Sequence, residues 1–182
     1  YILTLTTMTR VGILIMKPNN IFSNGCCQQA LFVHKMLNYI DTIQCDFVTL
    51  QSDYLIYDDL QKIDVIYINE ESIKKYDVLC MLSLTINSDS SDGERILKMI
   101  KDNRIKLIDV LCGNLFILLQ EEFVFNTHQI MKNYNNSAID EVWVLEMYAY
   151  SKEYLELVYK KPVKVLSYVW DTDIIKQYMV CN

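Results

Sequence analysis

The chain has 182 residues, 52% of them hydrophobic and 22% charged, the composition of an ordinary globular chain with apolar material for one core and room for little more than one domain. Its formal net charge of −6 argues against a nucleic-acid partner, because displacing counterions needs a basic face; an anionic small molecule stays open, since a helix N-terminus binds phosphate without net positive charge. No apolar run approaches the roughly 18 residues of a transmembrane segment, and "YILTLTTMTR" has neither the charged start nor the cleavage site of a signal peptide.

Residue 1 is Tyr, and Met8 opens the stretch "MTRVGILIM", so residues 1–9 read as an N-terminal extension ahead of a natural start or as part of something longer. "RVGILIM" (10–16) is a buried strand. A polar loop follows and runs straight into a helix over residues 24–40, with Cys26, Ala30, Val33, Leu37 and Ile40 in one stripe and Gln28, Lys35 and Asn38 opposite. "CDFVTL" (45–50) is the second strand, and "DVIYI" (64–68), preceded by a polar turn with Asp58 and Asp59, is the third. "DVLCMLSL" (77–84) is a strongly apolar fourth. Ser91 and Glu94 have capping-box spacing ahead of a helix with Ile96, Met99 and Ile100 inward. "IKLIDVL" (105–111) and "EVWVL" (141–145) are further strands. Ser151 caps a helix carrying Tyr154, Leu155 and Val158, which stops at Lys160, Lys161 and Pro162; "VKVLSYV" (163–169) is the last strand.

Strands of continuous rather than alternating apolar character are buried on both faces. With helices between them, they predict an α/β fold: a Rossmann-like open, mostly parallel sheet with the first strand central and helices on both faces. The six cysteines show no CxxC and no Cys/His cluster, which fits reduced thiols in a cytoplasmic protein and predicts no metal site.

In such a sheet, ligands bind beyond the C-terminal strand ends, beside the switch point next to strand one. The loop Ser23-Asn24-Gly25 falls there. Ser23 or Asn24 can cap the helix, and Gly25 lets the backbone come close to another group; a capped turn and a substrate-facing loop are both open. Gly25 stands alone and Gly12 lies inside a strand, so neither the dinucleotide fingerprint nor the P-loop is present. Met16-Lys17-Pro18 at the end of strand one carries no acid, which weighs against a receiver-type fold.

"IFSNGCCQQALFVHKML" resembles the first loop and helix of a group of bacterial and large-virus glycosyltransferase-like proteins, through Phe22, Ser23, Asn24, Gly25, Gln28 and Gln29. "DVLCGNLFILLQEEFVF" resembles their segment after the fifth strand, through Gly113, Asn114 and Glu122. "DEVWVLEMYAYSKEYLELVYKKPVKVLSYVWD" is similar to the last βαβ of the N-terminal half of GT-B glycosyltransferases. "SYVWDTD" stands where that group has a proline-flanked linker, with Ser167 and Thr172 in place of the prolines.

The resemblance implies a Rossmann-like domain over 10–169 and the start of an interdomain linker over 170–182, leading to a second Rossmann-like domain. It implies transfer of a sugar from a nucleotide-sugar donor to a glycan or other hydroxyl acceptor, with this half shaping mainly the acceptor side. No bound cofactor and no metal are expected, and residues 1–182 alone are expected to be inactive.

Within that frame Ser23, Asn24, Gly25, Gln29 and Asn114 are candidate substrate contacts. Gln29 flanks the apolar stripe and either reaches the cleft or caps buried backbone; Asn114 serves the site or a turn. An inverting transfer must remove the acceptor proton. Glu122, beside Glu121, and His128, at a helix start, are the candidate catalytic groups, with a solvated face as the alternative. Two readings from other classes remain: a non-catalytic Rossmann-like binding or interaction module, and a flavodoxin-like nucleotide-binding protein.

Overall fold

A computed structural model of the chain describes residues 8–15, 25–50, 64–82, 86, 90–112, 124–125 and 138–167. Seven described strands form one sheet: β1 (Thr9–Leu14), β2 (Ile43–Thr49), β3 (Val65–Tyr67), β4 (Val78–Leu82), β5 (Lys106–Leu111), β6 (Glu141–Leu145) and β7 (Val163–Leu166). Their order is β3-β2-β1-β4-β5-β6-β7, and every neighbouring pair is parallel. The first strand is interior, as expected, between β2 and β4. The helices are α1 (Gly25–Asn38), α2 (Ser91–Asp102) and α3 (Lys152–Tyr159), with 3-10 turns at Ser72–Lys75 and Glu146–Ser151.

The continuous apolar runs are explained by two cores, one on each face. Along β4, Leu79 and Met81 point into one and Cys80 and Leu82 into the other, the period-two alternation of a strand covered on both sides. Cys27, Ala30 and Leu31 of α1 pack on one face. Ile96 and Ile100 of α2 and Leu155 of α3 pack on the other. Gly12 of β1 is dictated by packing: a Cβ there would lie 2.6 Å from Leu79 Cδ2, 3.2 Å from Val48 Cγ2 and 3.3 Å from Tyr76 Cδ1. Tyr76 crosses that space to donate to Asp46 Oδ2 at 3.2 Å.

Several local details differ from the sequence reading. The buried stripe of α1 is wider than expected: Ala30 and Leu37 are core as read, Cys27 and Leu31 join them, and Ile40 lies beyond the helix end and is exposed. Asn38 is not simply on the polar side. Its amide brackets Cys45, accepting from the backbone N–H at 2.8 Å and donating to the carbonyl at 3.1 Å, which ties the helix end to β2. The cap of α2 is Ser90 rather than Ser91; its hydroxyl accepts from Gly93 N–H at 3.1 Å. Ile96, Met99 and Ile100 are inward as expected. Ser151 does not cap α3. A 3-10 turn already precedes the helix, and the Ser151 hydroxyl donates back to the Tyr148 carbonyl at 2.7 Å. Tyr154 is exposed, and Tyr159 takes the buried place instead.

Charged groups gather at the N-terminal edge of the strands. Glu141 binds Lys106, Lys164 (3.1 Å) and the Trp143 indole N–H (3.0 Å). Burial opposes its ionisation, but these hydrogen bonds outweigh it and hold the carboxyl down at about 2. Asp77 and Asp140 accept from the backbone N–H groups of Arg10 and Leu107, both at 2.8 Å, so these acids fasten strand starts.

Candidate functional site

The strand order reverses between β1 and β4: β2 and β3 lie to one side, β5 to β7 to the other. The C-terminal ends of these strands therefore open around a switch point, the place where α/β sheets hold ligands. Helix α1 starts there. Its first residue, Gly25, is exposed, has no positive φ, and would have no atom within 4 Å of an added Cβ. Neither backbone conformation nor packing against the described residues demands glycine at this position.

Gln29 lies four residues further on and hence on the same side of α1. Its side chain enters a cleft between α1 and the strand ends. Phe32, Val33 and Met36 of α1 form one wall; Leu82, Val110, Leu145 and Leu166, from four successive strands, form the other. Cys112 and Ser167 complete the lining. The room it leaves is about 20 Å³, enough to admit one small group such as a methyl or hydroxyl. Gln29 Oε1 is fully buried and accepts no hydrogen bond from the described residues. A buried amide oxygen left unpaired costs roughly 1–3 kcal/mol, so this acceptor favours any donor that fits.

Of the sequence candidates, the structure brings Gly25 and Gln29 to one side of α1 at the switch point. Gln29 lines the cleft, and its Oε1 accepts no hydrogen bond from the described residues. Ser23, Asn24, Asn114, Glu122 and His128 lie outside the described residues. Close to Glu122 in sequence, Val124 and Phe125 are helical and exposed. Cys112 and Ser167 were not singled out as lining residues. The signal for Cys112 was alternation, since it lies two residues beyond Val110 and so keeps its face.

Cys27, Cys45, Cys80 and Cys112 are free thiols, the first three buried. Burial pushes the Cys80 thiol up to about 12 and raises Cys45 as well, so neither is a nucleophile. His34 is structural: its ring stacks on Phe47 with centroids 4.2 Å apart, and burial lowers its pKa despite the Cys45 and Asp46 contacts that favour the cation. Among the described residues no group of three or more His, Cys, Asp or Glu side chains could hold a metal ion. No described helix is long and apolar enough to cross a membrane.

One acid was missed altogether. Asp109 sits inside the apolar run of β5 and is 1% exposed. It points to the α2–α3 face, away from the cleft, and its Oδ2 accepts no hydrogen bond from the described residues. Burial pushes its carboxyl up to about 7, and the Tyr159 hydroxyl offsets part of that rise.

No curated protein matches the chain. Among solved structures it is similar to the crystal structure of an AraC family transcriptional regulator from Pseudomonas putida, with 14% identity and a TM-score of 0.38 over 87% of this chain and 76% of that one. A likeness at that level carries no functional argument. A family match covers residues 11–180, nearly the whole chain, and the protein thereby belongs to the family described as "Protein of unknown function (DUF2827)".

Proposed function

We propose that this chain is the N-terminal, mainly acceptor-side domain of a glycosyltransferase that moves a sugar from a nucleotide-sugar donor to an acceptor hydroxyl. The observation that carries the reading is the Gln29 carbonyl oxygen, buried and without a hydrogen-bond donor among the described residues, in an apolar cleft at the C-terminal strand ends. A hydroxyl entering that space would donate to it and set its carbon skeleton against Phe32 and Leu82. The exposed start of α1 at Gly25, and the resemblance carried by "IFSNGCCQQALFVHKML", support the same assignment.

On this reading the donor nucleotide is held by a second Rossmann-like domain, without a resident metal or cofactor, in the cytoplasm. Glu122 and His128 are the proposed proton acceptors. Residues 1–182 alone transfer no sugar at a useful rate, because positioning both substrates supplies much of the acceleration. The test is to assay a protein carrying both domains with a panel of nucleotide sugars and hydroxyl acceptors, beside its Gln29→Leu and Gly25→Val variants. Gln29→Leu is expected to raise the acceptor KM about tenfold, the loss of one buried hydrogen bond, with the donor KM unchanged. Gly25→Val is expected to lower activity with Tm changed by only a few degrees. No transfer with any pair, or an acceptor KM indifferent to Gln29, refutes the reading.

A further inference from the structure

A hollow of about 520 Å³ opens at the N-terminal edge of the sheet, a size that suits a small molecule better than a bare inorganic ion. Strand β5 shows its distance from the α1 cleft: Lys106 at the strand's start lines the hollow, and Val110 near its end lines the cleft. Ile100 and Ile105, both buried, and Ala138 give the hollow an apolar lining. Its charged lining is Lys101, Arg104 and Lys106 against one carboxylate, Asp140, in a chain whose net charge is −6. That carboxylate is already engaged, since Asp140 Oδ2 accepts from the Leu107 N–H at 2.8 Å. Lys106 binds Glu141, but Lys164 binds the same oxygen, so two ammonium groups face one acid. Lys101 and Arg104 are exposed and have no ion-pair partner among the described residues.

The end of α2 brings these cations together. The Arg104 N–H donates to the Lys101 carbonyl and the Ile105 N–H to the Ile100 carbonyl, both at 3.0 Å, the paired bonds of a Schellman ending. The backbone reverses at Arg104, whose φ is 55°, and enters β5 two residues later. Lys101 in the last turn, Arg104 at the reversal and Lys106 at the strand start therefore border one space. The left-handed position itself favours glycine, so the backbone gives no reason for an arginine there. The dipole of a helix end favours a nearby cation, as at Lys160 after α3, but does not call for an excess of cations around a hollow. A planar guanidinium beside two ammonium groups suits a phosphoryl group, whose oxygens accept charge-assisted hydrogen bonds from all three. We propose that this hollow binds a small phosphate monoester, with the phosphoryl group on Lys101, Arg104 and Lys106 and the rest of the molecule against Ile100, Ile105 and Ala138.

The site is independent of the glycosyltransferase reading. The probe is phenyl phosphate, which carries about −1.5 to −2 charges at neutral pH, titrated to about 20 mM into the isotopically labelled 182-residue chain. Amide NMR signals of residues 101–106 and 138–140 are expected to shift saturably, with a dissociation constant on the order of 1 mM, while that of Gln29 stays in place. Arg104→Gly is expected to weaken binding about tenfold, with Tm unchanged or raised because glycine suits the left-handed backbone. A residue kept only for the fold would lower Tm instead and leave the affinity alone. Lys101→Gln is expected to weaken binding roughly threefold. Inorganic phosphate, which leaves the apolar lining unused, is expected to bind at least about threefold more weakly than the ester. The absence of saturable shifts at these residues overturns the proposal. So does an affinity indifferent to Arg104→Gly, or inorganic phosphate binding as tightly as phenyl phosphate.

Discussion

Asp109→Asn tests whether a carboxyl is confined in the core between the sheet and α2–α3. Burial raises its pKa from 3.8 to about 7. A raised folded-state value means that the native state holds its proton longer than the unfolded chain does. The associated stability is fully present below the unfolded value of 3.8 and is lost as pH rises toward 7. Each unit of separation is worth about 1.4 kcal/mol, so a shift of roughly three units removes about 4 kcal/mol by neutral pH. That is a large share of the 5–15 kcal/mol available to a domain. Asparagine nearly preserves shape and cannot ionise; any cost of its buried amide is independent of pH and cancels in the trend. Urea unfolding of both proteins, followed by tryptophan fluorescence from pH 4 to 8.5, is the assay. The wild type is expected to lose stability relative to the variant by about 1.4 kcal/mol per pH unit between about pH 4 and 7, then to run parallel to it. A difference constant across the whole range would mean that water reaches Asp109 and that the reasoning from burial is wrong.

Glu141 has the opposite sign: its pKa is lowered from 4.5 to about 2, so its contribution is present above 4.5 and lost as pH falls toward 2. Because Lys106 and Lys164 are half exposed, Glu141→Gln is expected to cost only about 1 kcal/mol at pH 7 and nothing near pH 2, read by the same unfolding series. Gly12→Ala places a methyl against fully buried Leu79 and is expected to cost about 1–3 kcal/mol in chemical denaturation. Asn38→Ala removes both hydrogen bonds to the Cys45 backbone and should cost roughly 1–3 kcal/mol, with faster amide hydrogen exchange at Cys45 than in the rest of β2.

The sheet was legible because burial on both faces forces unbroken apolar runs, and runs such as "EVWVL" coincide with their strand to the residue. The interior place of β1 followed from the alternation of strands and helices. Helix faces were harder. In α1 the apolar residues spread over more than half the circumference, so periodicity found Ala30 and Leu37 but left out Cys27 and Leu31, which are equally buried. Around Ser151 the error was local chemistry, since spacing cannot reveal a 3-10 turn that satisfies the helix start. Gly12 and Asp109 were passed over because each looks like any other member of a strand, and only the packing above it gives it meaning. Gln29 flanks the apolar stripe in the sequence, which was enough to place it next to the cleft wall of Phe32, Val33 and Met36. The cleft that receives it is assembled by four strands distant in sequence, which no local pattern encodes.

The neighbour relation between β1 and β4 governs how the chain can be made. The two strands are tied at their starts by the Arg10 N–H to Asp77 bond, across 67 residues of sequence. A ribosome adding about 5–20 residues per second emits β1 several seconds before its second partner exists. During that interval the hydrogen-bonding edge of "RVGIL" has β2 on one side and open backbone on the other, and an uncovered strand edge is a template for pairing with other chains. Nascent molecules of this protein are therefore most vulnerable to co-translational aggregation before residue 82 has cleared the exit tunnel. Synonymous codons that slow the stretch between β3 and β4 would lengthen that exposure, while a holding chaperone acting on the first half would shorten its consequences.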